Sequence, residues 1–273
     1  TRKLAQIAVR YSTEVKPGEK VVISGGAEAI PFLIELYKEI ILQKAIPIVR
    51  VNLPGVNDFF HKFANTEQLN YFPQYWMDTV KSAQVYISID TQENTRELTN
   101  SPSEKIAQRK KILNPISDYI VNTREKIRRV TIAYPVQSLA QDAEMSLTEY
   151  ENFVYDSCIK TDWKKFGKRL DTISDIFQKG KEVHLIGENV DLKFSIKGKN
   201  SVPDKGEENM PGGEVFMAPV RDSLNGWIKF DYPAVYSGKE VTGISLKFEK
   251  GKVTQAQASK NEDLLLKILD LDK

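Results

Sequence analysis

The chain has 273 residues, 41% hydrophobic and 28% charged, a balance that belongs to a folded globular protein rather than a disordered one. Lys+Arg 39 against Asp+Glu 37 leaves a formal net charge of +2, which argues against nucleic acid or a membrane surface as the primary partner. A single cysteine, Cys158, cannot pair within the chain, and no apolar run reaches the roughly 18 residues of a membrane span, so a cytoplasmic protein is expected.

Leu4, Ile7, Ala8, Tyr11 and Val15 recur at helical spacing, and an opening helix is expected before the Lys16-Pro17-Gly18-Glu19 turn. Lys20 to Ser24 reads as a buried strand ended by Gly25-Gly26, Pro31 to Gln43 as an apolar-rich helix, and Ile46 to Val51 as a second strand. Strand, helix and strand over this length make a βαβ unit with parallel strands. The Gly25-Gly26 pair lacks both the three-glycine dinucleotide pattern and the Gly-Lys-Ser/Thr phosphate pattern, so tight-turn geometry is preferred to nucleotide binding.

A helical region broken at Pro73 is expected between Asn65 and Thr79, then a third strand over Gln84 to Ile89. Ser101-Pro102-Ser103-Glu104 carries the signature of a capped helix start, and that helix should run to about Leu113. Its Lys105, Arg109, Lys110 and Lys111, and the later Arg124, Lys126, Arg128 and Arg129, read as solvated faces. Arg129 to Pro135 is a fourth strand. Ser146-Leu147-Thr148-Glu149 is a second capping box, opening a helix on which Cys158 reads as a packing residue, and Trp163 to Gln178 is a long amphipathic helix.

Near Lys179-Gly180-Lys181 the rhythm changes from alternating strands and helices to short strands and turns. The expected fold is an α/β domain with a largely parallel sheet over 1–179, followed by a mostly antiparallel, β-rich (α+β) domain over 180–273. Within the second part, Glu182 to Ile186, Asp191 to Ile196, Trp227 to Phe230, Thr242 to Phe248 and Lys252 to Ala258 read as strands. Asn225-Gly226 and Glu249-Lys250-Gly251 read as hairpin turns, and Asn261 to Leu271 as a closing helix.

Only two histidines occur, His61 and His184, and they form no His-x-x-x-His pair. His184 reads as a structural strand residue and His61 as a partly buried surface residue, and neither is given a catalytic role. The stretch with the strongest chemical content is Asn209-Met210-Pro211-Gly212-Gly213-Glu214-Val215-Phe216-Met217-Ala218-Pro219, in which a Gly- and Pro-rich loop breaks into a strand with one acid at the join. A carboxylate there is a hard oxygen ligand for a divalent metal, an acid/base group, or a plain solvated strand-start glutamate. Glu207-Glu208 is read as solvated loop, Asp222-Ser223-Leu224-Asn225-Gly226 as turn chemistry, and neither those acids nor Asp191 is placed in a ligand set.

This stretch, with Asp222-Ser223, Asn225-Gly226, the Pro17-Gly18-Glu19-Lys20 turn, the Tyr134-Pro135 strand end, the Ser146 helix start and the Glu249-Lys250-Gly251-Lys252 hairpin, resembles the thermophilic metallo-aminopeptidase family, the aminopeptidase T and aminopeptidase S group. The resemblance implies a cytoplasmic, homodimeric aminopeptidase that removes N-terminal residues from peptides using two divalent ions, zinc or cobalt, with Glu214 ligating one or both. It implies further ligands beyond the segment matching Leu264 to Asp272, so the chain is expected to be a truncated form with an incomplete second domain, weak metal binding and little activity. A noncatalytic peptide-binding or interaction protein derived from that fold is the alternative reading.

Overall fold

The computed structural model describes residues 1–236 and 239–270. Helix α1 (Arg2–Ile7) runs into a wider turn at Ala8–Ser12, and strand β1 (Lys20–Gly26) follows. Helix α2 (Ile30–Leu42) has Pro31 in its first turn, where the missing N–H has no helical partner to lose, and leads to β2 (Ile46–Asn52). Three short helices, α3 (Val56–Phe63), α4 (Thr66–Asn70) and α5 (Gln74–Ser82), carry the chain to β3 (Val85–Asp90). Helix α6 (Ser103–Asn122), β4 (Arg128–Ala133), α7 (Gln137–Asp142), α8 (Leu147–Ile159) and α9 (Trp163–Lys179) complete the alternating half.

The later elements are β5 (Glu182–Gly187), β6 (Val190–Ser195), β7 (Val202–Pro203), β8 (Asn209–Met210), β9 (Val215–Phe216) and β10 (Asn225–Lys229). They are followed by β11 (Ala234–Tyr236), β12 (Lys239–Val241), β13 (Ser245–Glu249), β14 (Lys252–Gln257) and α10 (Glu262–Leu269). Backbone proximity divides the chain into two units, Thr1–Phe166 with Asp204–Gly213, and Gly167–Pro203 with Glu214–Lys273.

The first unit holds a sheet of order β2-β1-β3-β4-β8, parallel throughout. Its strands alternate between two cores, as a sheet covered on both faces requires. Val21, Ile23, Ile87 and Ile132 pack with Phe32, Leu36 and Ile40 of α2, while Val22 and Tyr86 face Trp76, Met77 and Val80 of α5. The second unit holds an antiparallel sheet of order β14-β13-β10-β6-β5, with β11-β12 and β7-β9 as separate pairs. A parallel α/β part followed by an antiparallel β-rich part is the expected architecture.

Several local expectations need correction. Gly25 and Gly26 lie within β1 rather than in a turn: a Cβ on Gly25 would sit 3.0 Å from Ile89 Cβ, so close packing on β3 is what calls for glycine there. Asn225-Gly226 also lies in a strand, β10 between β6 and β13, where a Cβ on Gly226 would run into the Asp191 carbonyl oxygen. Helix α6 continues through Pro115 to Asn122 and takes no side-chain cap. Ser101 Oγ instead donates to Asp58 Oδ1 at 2.8 Å, which removes it from the helix terminus. The Ser146 capping box is formed, with Glu149 Oε2 accepting from the Ser146 amide at 2.9 Å.

Beneath α8, Phe32 stacks on Tyr134 with ring centroids 5.6 Å apart. Burial holds the Tyr134 and Tyr155 hydroxyls above the usual tyrosine range, and the Glu151 carboxylate adds to this at both. Groups whose folded values are raised contribute stability that is complete below the unfolded tyrosine value, about 10, and is lost as pH climbs through the folded values. Circular dichroism from pH 9 upward should therefore show stability falling from about pH 10, and Tyr155→Phe should flatten that fall.

Candidate functional site

The loop before Glu214 is built around one buried acid. Asp204 is 6% exposed and sits just past Pro203, where an aspartate side chain readily accepts bonds from the backbone of its own turn. Its Oδ1 accepts from the Gly206 amide at 3.1 Å and its Oδ2 from Asn209 Nδ2 at 3.0 Å. The Asp204 carbonyl accepts from the Gly213 amide at 2.8 Å, closing the loop on itself. Tyr11 Oη donates to the Lys205 carbonyl at 3.0 Å.

A second acid fixes the loop to the first sheet. The Glu208 carbonyl accepts from the Thr131 amide at 2.8 Å, and β8 continues the pairing with Asn209 opposite Thr131 and Met210 opposite Ile132. The Glu208 carboxylate receives Arg129 Nη2 at 2.9 Å and also pairs with Arg124. Met210, 1% exposed, is buried in the first core, and Phe166 lies against Gly213. Glu208 is thus a clamped group rather than solvated loop. Arg129 likewise leaves the solvated-face reading, and so does Arg128, whose Nε donates to the Thr13 carbonyl at 2.8 Å and whose Nη2 pairs with Glu19 at 2.5 Å.

Glu214 is the residue after this loop and directly precedes β9, whose Val215 pairs with Pro203. It is exposed, and among the described residues its carboxylate takes part in no hydrogen bond or ion pair. The other acids are engaged or apart. Asp191 Oδ1 lies 2.7 Å from His184 Nε2 on exposed strands, Asp222 is in the Arg221–Ser223 turn, and Glu207 is exposed. His61 is more buried than expected, at 8% exposed, with Nδ1 2.7 Å from the Asn57 carbonyl. Cys158 is fully buried, and burial pushes its thiol up to about 12, which makes it a packing residue.

The chemistry of Glu214 suits one ligand position for a hard divalent cation, since a carboxylate open to solvent and without a cationic partner keeps its oxygens available. Among the described residues no group of three or more His, Cys, Asp or Glu is placed to hold a metal ion. The described side chains therefore do not fit a complete two-metal site. What sequence reasoning missed is the supporting set, Asp204, Glu208 and Arg129. The Pro203-Asp204-Lys205-Gly206 turn pattern was the available signal for the first of these.

The chain combines a parallel α/β unit and an antiparallel unit, with an exposed acid at the join between loop and strand. Its sequence matches, over residues 1–273, the profile of the family described as Thermophilic metalloprotease (M29), and the chain belongs to that family. It is 31% identical over 100 residues to Aminopeptidase AmpS of Bacillus subtilis (strain 168), a match covering 33% of this chain and 24% of that protein. It is 38% identical over 65 residues to Aminopeptidase T of Thermus aquaticus, covering 24% of this chain and 16% of that protein. These matches span a quarter or less of the relatives' own length. In fold it is similar to wild-type AmpT from Thermus thermophilus, with a TM-score of 0.83 at 20% identity over 98% of this chain and 74% of that one.

The loop's dependence on Asp204 is open to test. Asp204→Ala strips the Gly206 amide and Asn209 Nδ2 of their acceptor in a buried setting and should lower stability by about 2 kcal/mol in urea unfolding. Amide hydrogen exchange at Gly206 and Gly213 should quicken in the same variant while exchange in β1 and β3 stays slow.

Proposed function

We propose that the whole protein is a metal-dependent aminopeptidase that removes N-terminal residues from peptides, with Glu214 as one ligand of two divalent ions, zinc or cobalt. The observation that carries this reading is the family profile extending over residues 1–273, with the loop-to-strand glutamate inside it. The two relatives above are named as aminopeptidases, which supports the reaction class. A pair of divalent ions, if held in the whole protein with Glu214 as one ligand, would supply Lewis-acid polarisation of a carbonyl and a more acidic bound water. Glu214 provides one of the roughly five or six side-chain ligands such a pair takes.

The chain's own residues contribute placement. Asp204 and Glu208 hold the loop, and the loop fixes where the backbone delivers Glu214, while the β-rich part from residue 180 serves as the catalytic-type half. A single cysteine, buried and held protonated, supports a reducing, cytoplasmic setting. No described helix is long and apolar enough to cross a membrane. The protein is proposed to act as a homodimer.

Glu214→Ala in the whole protein should lower peptide cleavage at least about 100-fold and reduce bound metal measured by elemental analysis. Stability of the metal-free protein should change by less than about 0.5 kcal/mol, because the side chain is exposed. Retention of full metal content and rate would remove Glu214 from the site. Failure of the unsubstituted whole protein to cleave any peptide with zinc or cobalt present would favour a noncatalytic peptide-binding protein.

A further inference from the structure

Helix α2 has two apolar faces, and the first core uses only one. Phe32, Leu33, Leu36 and Ile40 are buried, whereas Ile30, Ile34, Tyr37 and Ile41 are 44, 48, 45 and 49% exposed. The exposed four follow a 4-3-4 spacing, which lines them up as a single seam along the helix, the spacing of coiled-coil contacts. Single exposed apolar residues are ordinary on a protein surface, but a continuous row marks a contact.

The row is also symmetric about the helix midpoint. Reversing the direction of α2 about a point between Glu35 and Leu36 maps Ile30 onto Ile41 and Ile34 onto Tyr37. An isologous contact has this self-complementary property, in which residue i meets j and j meets i. Two antiparallel copies would set Ile30 against Ile41 of the second copy and Ile34 against Tyr37 of the second copy. The same arrangement sets Glu28, ahead of the helix, opposite Gln43 of the second copy and one residue from its Lys44, so an acid and a base come together at each end of the seam. Antiparallel alignment also opposes the two helix dipoles favourably.

The neighbouring edge strand extends the surface without competing for it. Val49 pairs in register with Ile23, which belongs to the α2-side core, so Val49 and Val51 lie on the α2 face of β2, at 46 and 41% exposed. The Ile46 amide bonds to the Glu19 carbonyl, toward β1. Alternation then directs the nitrogen of the next residue outward, and that residue is Pro47, which has no proton to donate. Edge-to-edge strand pairing is therefore hindered, and the side-chain seam is left as the surface for association.

We infer that the Ile30, Ile34, Tyr37 and Ile41 face of α2 is a two-fold seam by which two copies of this chain associate with their α2 helices antiparallel. This rests on the homodimer reading and locates its contact. The test is sedimentation or light scattering of the whole protein and of Ile34→Glu/Tyr37→Glu, with circular dichroism as a check on folding. The expected result is a dimer that becomes monomeric in the variant, with at least about a tenfold weaker dimer constant and an unchanged spectrum. A variant that stays dimeric would overturn the seam while leaving the homodimer reading intact, whereas a monomeric unsubstituted protein would remove both.

Cysteine pairing gives a second measure that does not depend on disrupting the contact. Cys158 is buried with its thiol pushed up by burial, so introduced thiols can be read separately. Mixing Ile34→Cys protein with differently tagged Tyr37→Cys protein under mild oxidation should give predominantly mixed disulfides. Predominant Ile34→Cys self-pairing would overturn the antiparallel arrangement. Protection of these positions by another part of the same polypeptide or by a different protein, with no cross-link between copies, would overturn the proposal.

Discussion

The return of ten residues, Asp204–Gly213, to the first unit is the constraint on which the placement of Glu214 depends. The chain leaves that unit after Phe166, comes back, and leaves again at the Gly213–Glu214 peptide bond. A two-residue strand such as β8 is a weak attachment by itself, since each backbone hydrogen bond contributes only about 1 kcal/mol net. Burial of Met210 adds about 1.5–3 kcal/mol, a contribution comparable with that of the short ladder. The Asp204 bonds then keep the loop from opening between these attachment points. Register matters most here: with Met210 buried opposite Ile132, the loop cannot slide along β4 without unburying Met210.

Glu208 and Glu214 are six residues apart and carry the same functional group, yet their surroundings assign them different work. Glu208 is about one-fifth exposed and lies against two guanidinium groups. Its charge is neutralised locally, and a metal ion would have to displace arginine from both oxygens. Glu214 is exposed and without an ion-pair partner among the described residues, so a cation meets little competition there. Composition makes these two acids alike. Their distance along the loop from β4 makes them differ.

Much of the architecture was legible because it rests on period and on local turn chemistry. The strands around Val22, Ile48 and Ile87 stand out as short β-branched runs between amphipathic helices, and Ser146 with Glu149 signals a helix start through its own side chains. Where tertiary contacts decide, the local signal misleads. Asn225-Gly226 has hairpin chemistry, yet close approach of the Asp191 backbone explains its glycine inside a strand. Ser101 has cap chemistry, yet Asp58, 43 residues earlier, takes its hydroxyl. Arg124, Arg129 and Glu208 read as solvated charge because their pairing spans about 80 residues of sequence, which no local pattern reports.

The two edges of the first sheet are closed by different means, and the difference follows from what each edge must do. At one edge, β8 is laid beside β4 by a loop whose acids hold it there, so that edge ends in the segment leading to Glu214. At the other edge, β2 has no further strand among the described residues, and Pro47 removes a donor from its outward side. An open edge rich in Ile and Val would otherwise invite strand addition by any extended chain. With that route hindered, apolar surface on β2 and α2 can be satisfied by side-chain packing, which demands matching shape and so admits far fewer partners. An edge spoiled for strand pairing beside a helix with a symmetric apolar row is the combination expected where association has to be specific.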